Sequence, residues 1–148
     1  IRGTLFRQAQ FAEFELLIRT LTEQNIPLTP EKLSEEYVKL NQFYYGKEMA
    51  DDPEIAIEWS RIPHFYYNYY VYQYATGISA ALALADKVVA GGNKEREAYL
   101  SFLKAGSSLY PIDALKLAGV DMTTSAPVKL AIDRFDHLLD ALEAELGT

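Results

Sequence analysis

The residues best suited to chemistry lie in one short segment around His64. Six of the eleven tyrosines occur within the nine residues from Tyr66 to Tyr74. Buried tyrosine hydroxyls need hydrogen-bond partners, so a cleft open to water or substrate holds such a cluster more easily than a core does. If the segment is helical, Tyr69 and Tyr72 lie on one side, with His64 just before the helix start. These side chains would then offer neutral donors to a developing oxyanion or to a peptide backbone.

The alternative is a tyrosine-rich core with a hydrogen-bonded histidine, which composition alone favours.

The second histidine, His137, has Asp133 four residues before it and Asp140 three residues after it, a spacing that can gather metal ligands on one helical face. The charged positions of a surface helix explain that pattern better. The sequence contains no His-Glu-x-x-His, no known glycine-rich phosphate loop and no Gly-x-Ser-x-Gly.

Helical patterns position these residues, and no segment sustains the two-residue alternation of a strand. A central helix over residues 68–90 carries two apolar faces and a third face of small residues, so we expect it among the most buried elements. Further helices are predicted over residues 4–24, 30–45, 94–105 and 111–118, after Ser125, and over a short stretch capped by Asp51 and Asp52. The prediction is an all-α fold, a multi-helix bundle of six or seven helices forming a single domain over residues 1–148.

The bulk composition excludes several classes of partner. A formal net charge of −7 without any basic cluster argues against nucleic-acid binding. No apolar run is long enough to span a bilayer, so no membrane partner is expected. Cysteine is absent, which excludes thiolate metal sites, suits a reducing compartment and predicts a cytoplasmic protein.

Four segments resemble a known family in the same order along the chain. They are IRGTLFRQAQFAEFE from residue 1, LNQFYYG from residue 40, IPHFYYNYYVYQYATGISA from residue 62 and SSLYPIDALKLAGVDM from residue 107. Together they resemble the oligoendopeptidase F type of zinc metallopeptidase in the M3 family. The resemblance covers essentially the whole chain. It implies the C-terminal part of the catalytic domain of a zincin-type oligopeptidase.

The resemblance also implies roles for individual residues. In that family a His-Glu-x-x-His helix and a later glutamate hold zinc, and the residues matching them lie upstream of Ile1. Zinc is therefore expected only in a full-length enzyme, and this chain alone is expected to bind no metal and to be inactive. His64, Tyr69 and Tyr72 resemble the catalytic residues that donate to the oxyanion, a task often worth about 2.7–4 kcal/mol per donor. Tyr66 and Tyr67 are the expected substrate-binding residues.

The expected partners follow from the same resemblance. They are an oligopeptide substrate and the missing N-terminal part of the same polypeptide. Surfaces that face the missing part should be exposed and apolar or aromatic, which would also allow self-association. The alternative function is a non-catalytic helical module that binds peptides or only supports structure.

Overall fold

The computed structural model describes residues 1–46, 48–49 and 52–147, and every regular element within these ranges is helical. Six α-helices are present in the described ranges, together with two 3₁₀ segments, Pro53–Arg61 and Pro63–Tyr66. The α-helices are α1 (Phe6–Glu23), α2 (Pro30–Tyr45), α3 (Tyr72–Ala90), α4 (Asn93–Ala105), α5 (Pro111–Leu117) and α6 (Ala126–Leu146). The all-α prediction is confirmed. No helix in the described part of the chain is long and apolar enough to cross a bilayer.

Helix ends follow the capping residues of the sequence. The Thr29 hydroxyl accepts the backbone N–H of Lys32 at 3.3 Å, and Pro30 occupies the first turn of α2. Gly46 ends α2 with a φ of 79°, a left-handed conformation that glycine adopts without steric cost. Asp52 caps the first 3₁₀ segment by accepting the N–H of Glu54 at 2.9 Å. Asp51, the other residue of the predicted cap, lies outside the described residues.

Contacts divide the chain into two compact units, residues 2–75 (the N-terminal unit) and residues 76–147 (the C-terminal unit). The single-domain prediction therefore stays a prediction. In the N-terminal unit, α2 packs on α1 and on the first 3₁₀ segment. The indole N–H of Trp59 donates to the Ser34 hydroxyl at 3.2 Å across the second of these contacts. The core of this unit is mostly aromatic and contains Phe11, Phe14, Tyr37, Ile62, Phe65 and Val71.

In the C-terminal unit, α4 packs on α5, and small residues form much of the core. The buried residues of α3 are Ser79, Ala80, Ala83 and Leu84. Two of these, Ala80 and Ala83, belong to the predicted face of small residues, where small side chains let a neighbouring element approach closely. Val89, on a predicted apolar face, is instead 85% exposed. The expected burial of this helix therefore does not extend to Val89 at its C-terminal end.

The predicted start of the central helix is also wrong. The α-helix begins at Tyr72, four residues later than predicted, because Asn68 and Tyr69 have φ angles of 52° and 61°. These left-handed conformations interrupt a right-handed helix. The Glu15 carboxylate, from α1, accepts the backbone N–H of Tyr69 at 2.6 Å. A tertiary hydrogen bond thus replaces the helical one at this position.

Candidate active site

His64 lies in the second 3₁₀ segment, within a cluster of tyrosine rings. Its imidazole centroid is 5.9 Å from the ring of Tyr70, nearly parallel to it at 12°. Tyr67 and Tyr74 meet the imidazole edge to face, each with a centroid separation of 5.8 Å. A spacing of three residues aligns side chains in a 3₁₀ turn, which explains the contact between His64 and Tyr67. The ring of His64 is therefore held from three sides. We call these four residues the His64 cluster.

The tyrosines of the His64 cluster also contact one another. The hydroxyls of Tyr70 and Tyr74 are 3.4 Å apart, and the two rings pack edge to face at 5.5 Å. The hydrogen bond with Tyr70 raises the pKa of Tyr74 above its ordinary value. Tyr74 thus stays a neutral phenol at neutral pH. Tyr67, Tyr70 and Tyr74 remain 58%, 37% and 37% exposed. The cluster is an open aromatic surface, and the tyrosine-rich core suggested by composition is not what forms here.

Tyr69 and Tyr72 occupy different environments, and the predicted shared helical face does not exist. Tyr69 precedes the helix, and the guanidinium of Arg19 lies 5.7 Å from its ring centroid. Tyr72 is the first residue of α3 and is half exposed. Tyr66 is 80% exposed. The catalytic roles of His64, Tyr69 and Tyr72 and the substrate contacts of Tyr66 and Tyr67 stay predictions. Among these residues, the His64 cluster brings together His64 and Tyr67.

Tyr70 and Tyr74 were not singled out by the sequence, although their four-residue spacing is the helical contact spacing. The sequence also gave no sign of a buried carboxylate next to this region. Glu58 is 7% exposed and accepts hydrogen bonds from Arg7 of α1 and from Arg61. The Tyr37 hydroxyl donates to its other oxygen at 2.6 Å.

The partners of Glu58 decide its ionisation state. Burial alone would raise the pKa of Glu58, but the hydrogen bond from Tyr37 and the charges of Arg7 and Arg61 outweigh burial and hold it below the ordinary glutamate value. Burial also raises the pKa of Tyr37, and its hydrogen bond to Glu58 raises it further. The site therefore contains a glutamate anion, a neutral phenol and two guanidinium cations at neutral pH.

A pocket of about 440 Å³ opens between these arginines and the His64 cluster. Its lining includes Arg7, Gln8, Arg61, His64 and Tyr74. We call it the arginine pocket. It lies entirely within the N-terminal unit, and its volume falls in the range typical of small-molecule sites, about 300–1,000 Å³.

The described ranges contain no group of three or more His, Cys, Asp or Glu residues able to hold a metal ion. His137 is exposed on α6, and its neighbour Asp133 pairs with Lys129 at 2.9 Å. These are the contacts of a surface helix. Among the described residues, the surroundings of His137 therefore do not fit a zinc ion.

The profile of Peptidase family M3 matches residues 2–134, which include the His64 cluster and the arginine pocket. The chain belongs to peptidase family M3. Among M3 relatives, Oligopeptidase PepF of Bacillus subtilis (strain 168) is 57% identical over 142 residues, which are 96% of this chain and 21% of that protein. The chromosomal Oligoendopeptidase F of Lactococcus lactis subsp. cremoris is 50% identical over 96% of this chain and 24% of its own length.

The M3 fold is also that of a solved structure. The crystal structure of oligoendopeptidase-F from Enterococcus faecium superposes with a TM-score of 0.94 and 53% sequence identity, over 99% of this chain and 28% of that one. The chain thus spans between a fifth and about a quarter of the length of the curated M3 relatives described here. The resemblance stated from the sequence is confirmed at the level of the family.

Proposed function

We propose that this chain is the C-terminal substrate-binding and transition-state-stabilising part of a zinc metalloendopeptidase that hydrolyses short peptides. The observation that carries the proposal is the His64 cluster, an imidazole held by three tyrosine rings on an open surface. Membership of peptidase family M3 and the names of the oligopeptidase relatives support it.

In this proposal His64 donates a hydrogen bond to the oxyanion that forms when the peptide carbonyl is attacked. The near-parallel stacking of Tyr70 and the edge contacts of Tyr67 and Tyr74 fix the imidazole plane. A donor fixed before the reaction needs no reorganisation when charge develops, which is what makes such donors effective. Tyr72 or Tyr69 supplies a second donor through its hydroxyl. Tyr66 and Tyr67, whose rings are well exposed, contact the peptide chain.

The zinc ion of this proposal is held by residues outside the chain, since its described residues do not fit one. The 148-residue chain alone then neither binds zinc tightly nor hydrolyses peptides. A dialysed sample that retained stoichiometric zinc on His64 or His137 would contradict this part of the proposal. A cytoplasmic location stays a prediction.

The partner of the chain is the rest of the same, longer polypeptide. Exposed apolar side chains on several helices support this, including Leu16 at 57%, Val89 at 85% and Leu146 at 67% exposure. Soluble proteins rarely leave large apolar patches uncovered. The 148-residue chain produced alone is then expected to self-associate. Sedimentation that shows a monomer at high concentration would argue against these side chains being covered in the longer polypeptide.

Kinetics of the full-length enzyme test the catalytic roles. His64→Ala, Tyr72→Phe and Tyr69→Phe are compared with Tyr99→Phe, a half-buried tyrosine of α4 outside the site. Loss of an oxyanion donor is expected to lower kcat about 10²–10³-fold with little change in KM, because the donor acts in the transition state. The phenylalanine variants keep the ring, so they test the hydroxyl alone. Zinc content is expected to match that of the parent enzyme.

The outcomes separate the candidate functions. If the variants keep a near-normal kcat but lose stability, the tyrosines pack and do not catalyse. If the full-length protein binds peptides without hydrolysing them, it is a non-catalytic binding module. A drop in kcat confined to His64→Ala would leave the oxyanion role to the histidine alone.

A further inference from the structure

We infer that the arginine pocket binds a carboxylate group of the peptide substrate, close to the bond that His64 acts on. The inference rests on the proposed peptidase function and adds a binding site and a substrate preference to it. It comes from charge, donor geometry and the position of the pocket.

The first argument is charge. Arg7 and Arg61 share a single carboxylate, Glu58, so the three side chains carry a formal charge of +1. Glu58 is almost fully buried, and its second oxygen is occupied by the Tyr37 hydroxyl at 2.6 Å. None of the described residues that line the pocket is an aspartate or a glutamate. The pocket is thus locally cationic in a chain whose net charge is −7.

The second argument is the supply of hydrogen-bond donors. A guanidinium carries five N–H donors in a planar fork that matches a carboxylate. Each arginine contacts Glu58 through its Nη2 atom. The guanidinium of Arg7 also lies 4.9 Å from the ring centroid of Phe11. The Arg61 side chain is 68% exposed, so its other nitrogens can reach a ligand in the pocket.

The third argument is position. Both arginines donate hydrogen bonds to Glu58, which already restricts their rotamers and so limits the entropy that they lose on binding a ligand. His64 and Tyr74 form part of the same pocket. The carboxylate bound by the arginines therefore belongs to a substrate residue only a few positions away from the peptide bond that contacts His64. Charge-assisted arginine–carboxylate pairs are among the stronger polar contacts in proteins, so this contact can select substrates.

A peptide offers this carboxylate from its C-terminus or from an aspartate or glutamate side chain. The test uses two substrate pairs with the full-length enzyme. The first pair is one peptide with a free C-terminal acid or with a C-terminal amide. The second pair keeps the amide and places glutamate or glutamine next to the cleaved bond. The kcat/KM ratio of acid over amide is measured for the parent enzyme, Arg61→Gln, Arg61→Lys and Arg96→Gln.

The parent enzyme is expected to favour the acid in at least one pair, and that pair identifies the source of the carboxylate. Arg61→Gln should lower this acid preference about tenfold or more, as expected for one hydrogen bond between charged groups. Arg61→Lys should keep part of it, because lysine retains the charge but not the fork. Arg96→Gln, an equally exposed arginine of α4, should retain the full preference. Equal rates for acid and amide in both pairs, in parent and variant, would overturn the inference.

A binding measurement separates this inference from the proposed catalysis. Calorimetry compares N-acetyl-dialanine with its amide on the full-length protein, without any turnover. Tighter binding of the acid that Arg61→Gln removes supports the pocket even if no peptide is hydrolysed, in which case the proposed function fails and the pocket stands. Hydrolysis without any difference between acid and amide, in rate or in binding, would overturn the inference about the pocket and leave the proposed function standing.

Discussion

Replacing Glu15 tests how the turn before α3 is held. Asn68 and Tyr69 have φ angles of 52° and 61°, and a left-handed conformation costs a non-glycine residue roughly 1–2 kcal/mol. Asparagine tolerates this region better than most residues, so most of the strain belongs to Tyr69. The Glu15 carboxylate is 1% exposed and accepts the Tyr69 N–H at 2.6 Å. We expect this hydrogen bond to offset the strain and to fix where the tyrosine segment enters the helix.

The size of the effect follows from the acceptor. A hydrogen bond to a charged group contributes about 1.5–3 kcal/mol, and a neutral one roughly half of that. Glu15→Gln keeps an acceptor oxygen but removes the charge, so about 1 kcal/mol should be lost. Glu15→Ala removes the acceptor altogether and should cost about 2–3 kcal/mol.

Hydrogen exchange at the Tyr69 amide measures this directly, because exchange reports the free energy of local opening. Since 1.4 kcal/mol corresponds to a factor of ten, Glu15→Gln should speed exchange about fivefold. Glu15→Ala should speed it about 30- to 150-fold. Mass spectrometry of peptides covering residues 66–71 follows the amide. Glu13→Gln is the matched control, because Glu13 lies on the same helix with an exposed carboxylate that accepts from Tyr44 at 2.8 Å. If Glu15→Ala exchanges as slowly as this control, Glu15 does not hold the turn.

Three further predictions concern stability. Tyr37→Phe should lower the free energy of unfolding by about 1.5–3 kcal/mol in urea titrations, because Glu58 loses a buried donor. Folding depresses the pKa of Glu58, so its contribution to the free energy of unfolding should be complete above the unfolded pKa of about 4.3. This contribution should be lost as the pH falls through the folded pKa, and unfolding titrations at a series of acid pH values measure the loss. Gly119→Ala should lower the free energy of unfolding by more than 1 kcal/mol, since Gly119 has a φ of 75° and a Cβ there would lie 3.3 Å from Lys87 Nζ. Gly77→Ala should instead raise the melting temperature, because Gly77 is a helical glycine and a Cβ there would have nothing within 4 Å.

Each of these predictions has a control. Tyr44→Phe removes a hydroxyl that bonds the exposed Glu13, so it should cost no more than about 0.5 kcal/mol. Glu58→Gln should flatten the acid titration, and an unchanged pH profile in that variant would exclude Glu58 as its source. If Gly119→Ala and Gly77→Ala shift the melting temperature in the same direction, backbone conformation is not what distinguishes these two sites.

Local sequence signals predicted most of the helices correctly. Thr29 and Pro30 start α2 and Gly46 ends it, because these residues cap helices through their own side chains or φ angles, whereas Ser125 precedes α6 without a side-chain hydrogen bond to the helix. The start of α3 was mispredicted because it depends on Glu15, which is 54 residues away from Tyr69. Helical periodicity contains no information about such a partner.

One part of the candidate site could be predicted from the sequence, and the other part could not. His64 and the tyrosine run stand out by composition, and the contact of His64 with Tyr67 follows from their spacing. The arginine pocket needed the structure, because Arg7 and Glu58 are 51 residues apart and only the packing of α1 near the 3₁₀ segments brings them together. Buried ion pairs of this kind leave no periodic pattern in a sequence.

Trp59 is the one tryptophan of the chain, and it lies in the N-terminal unit against Ser34 of α2. Its fluorescence emission therefore reports on residues 2–75, whereas far-ultraviolet circular dichroism reports on the helices of both units. When the two signals are followed through the same denaturant titration, coincident midpoints would indicate one cooperative folding unit. Separate midpoints would reveal which half of the chain unfolds first, and Trp59, the residue after Glu58, serves as the intrinsic fluorophore.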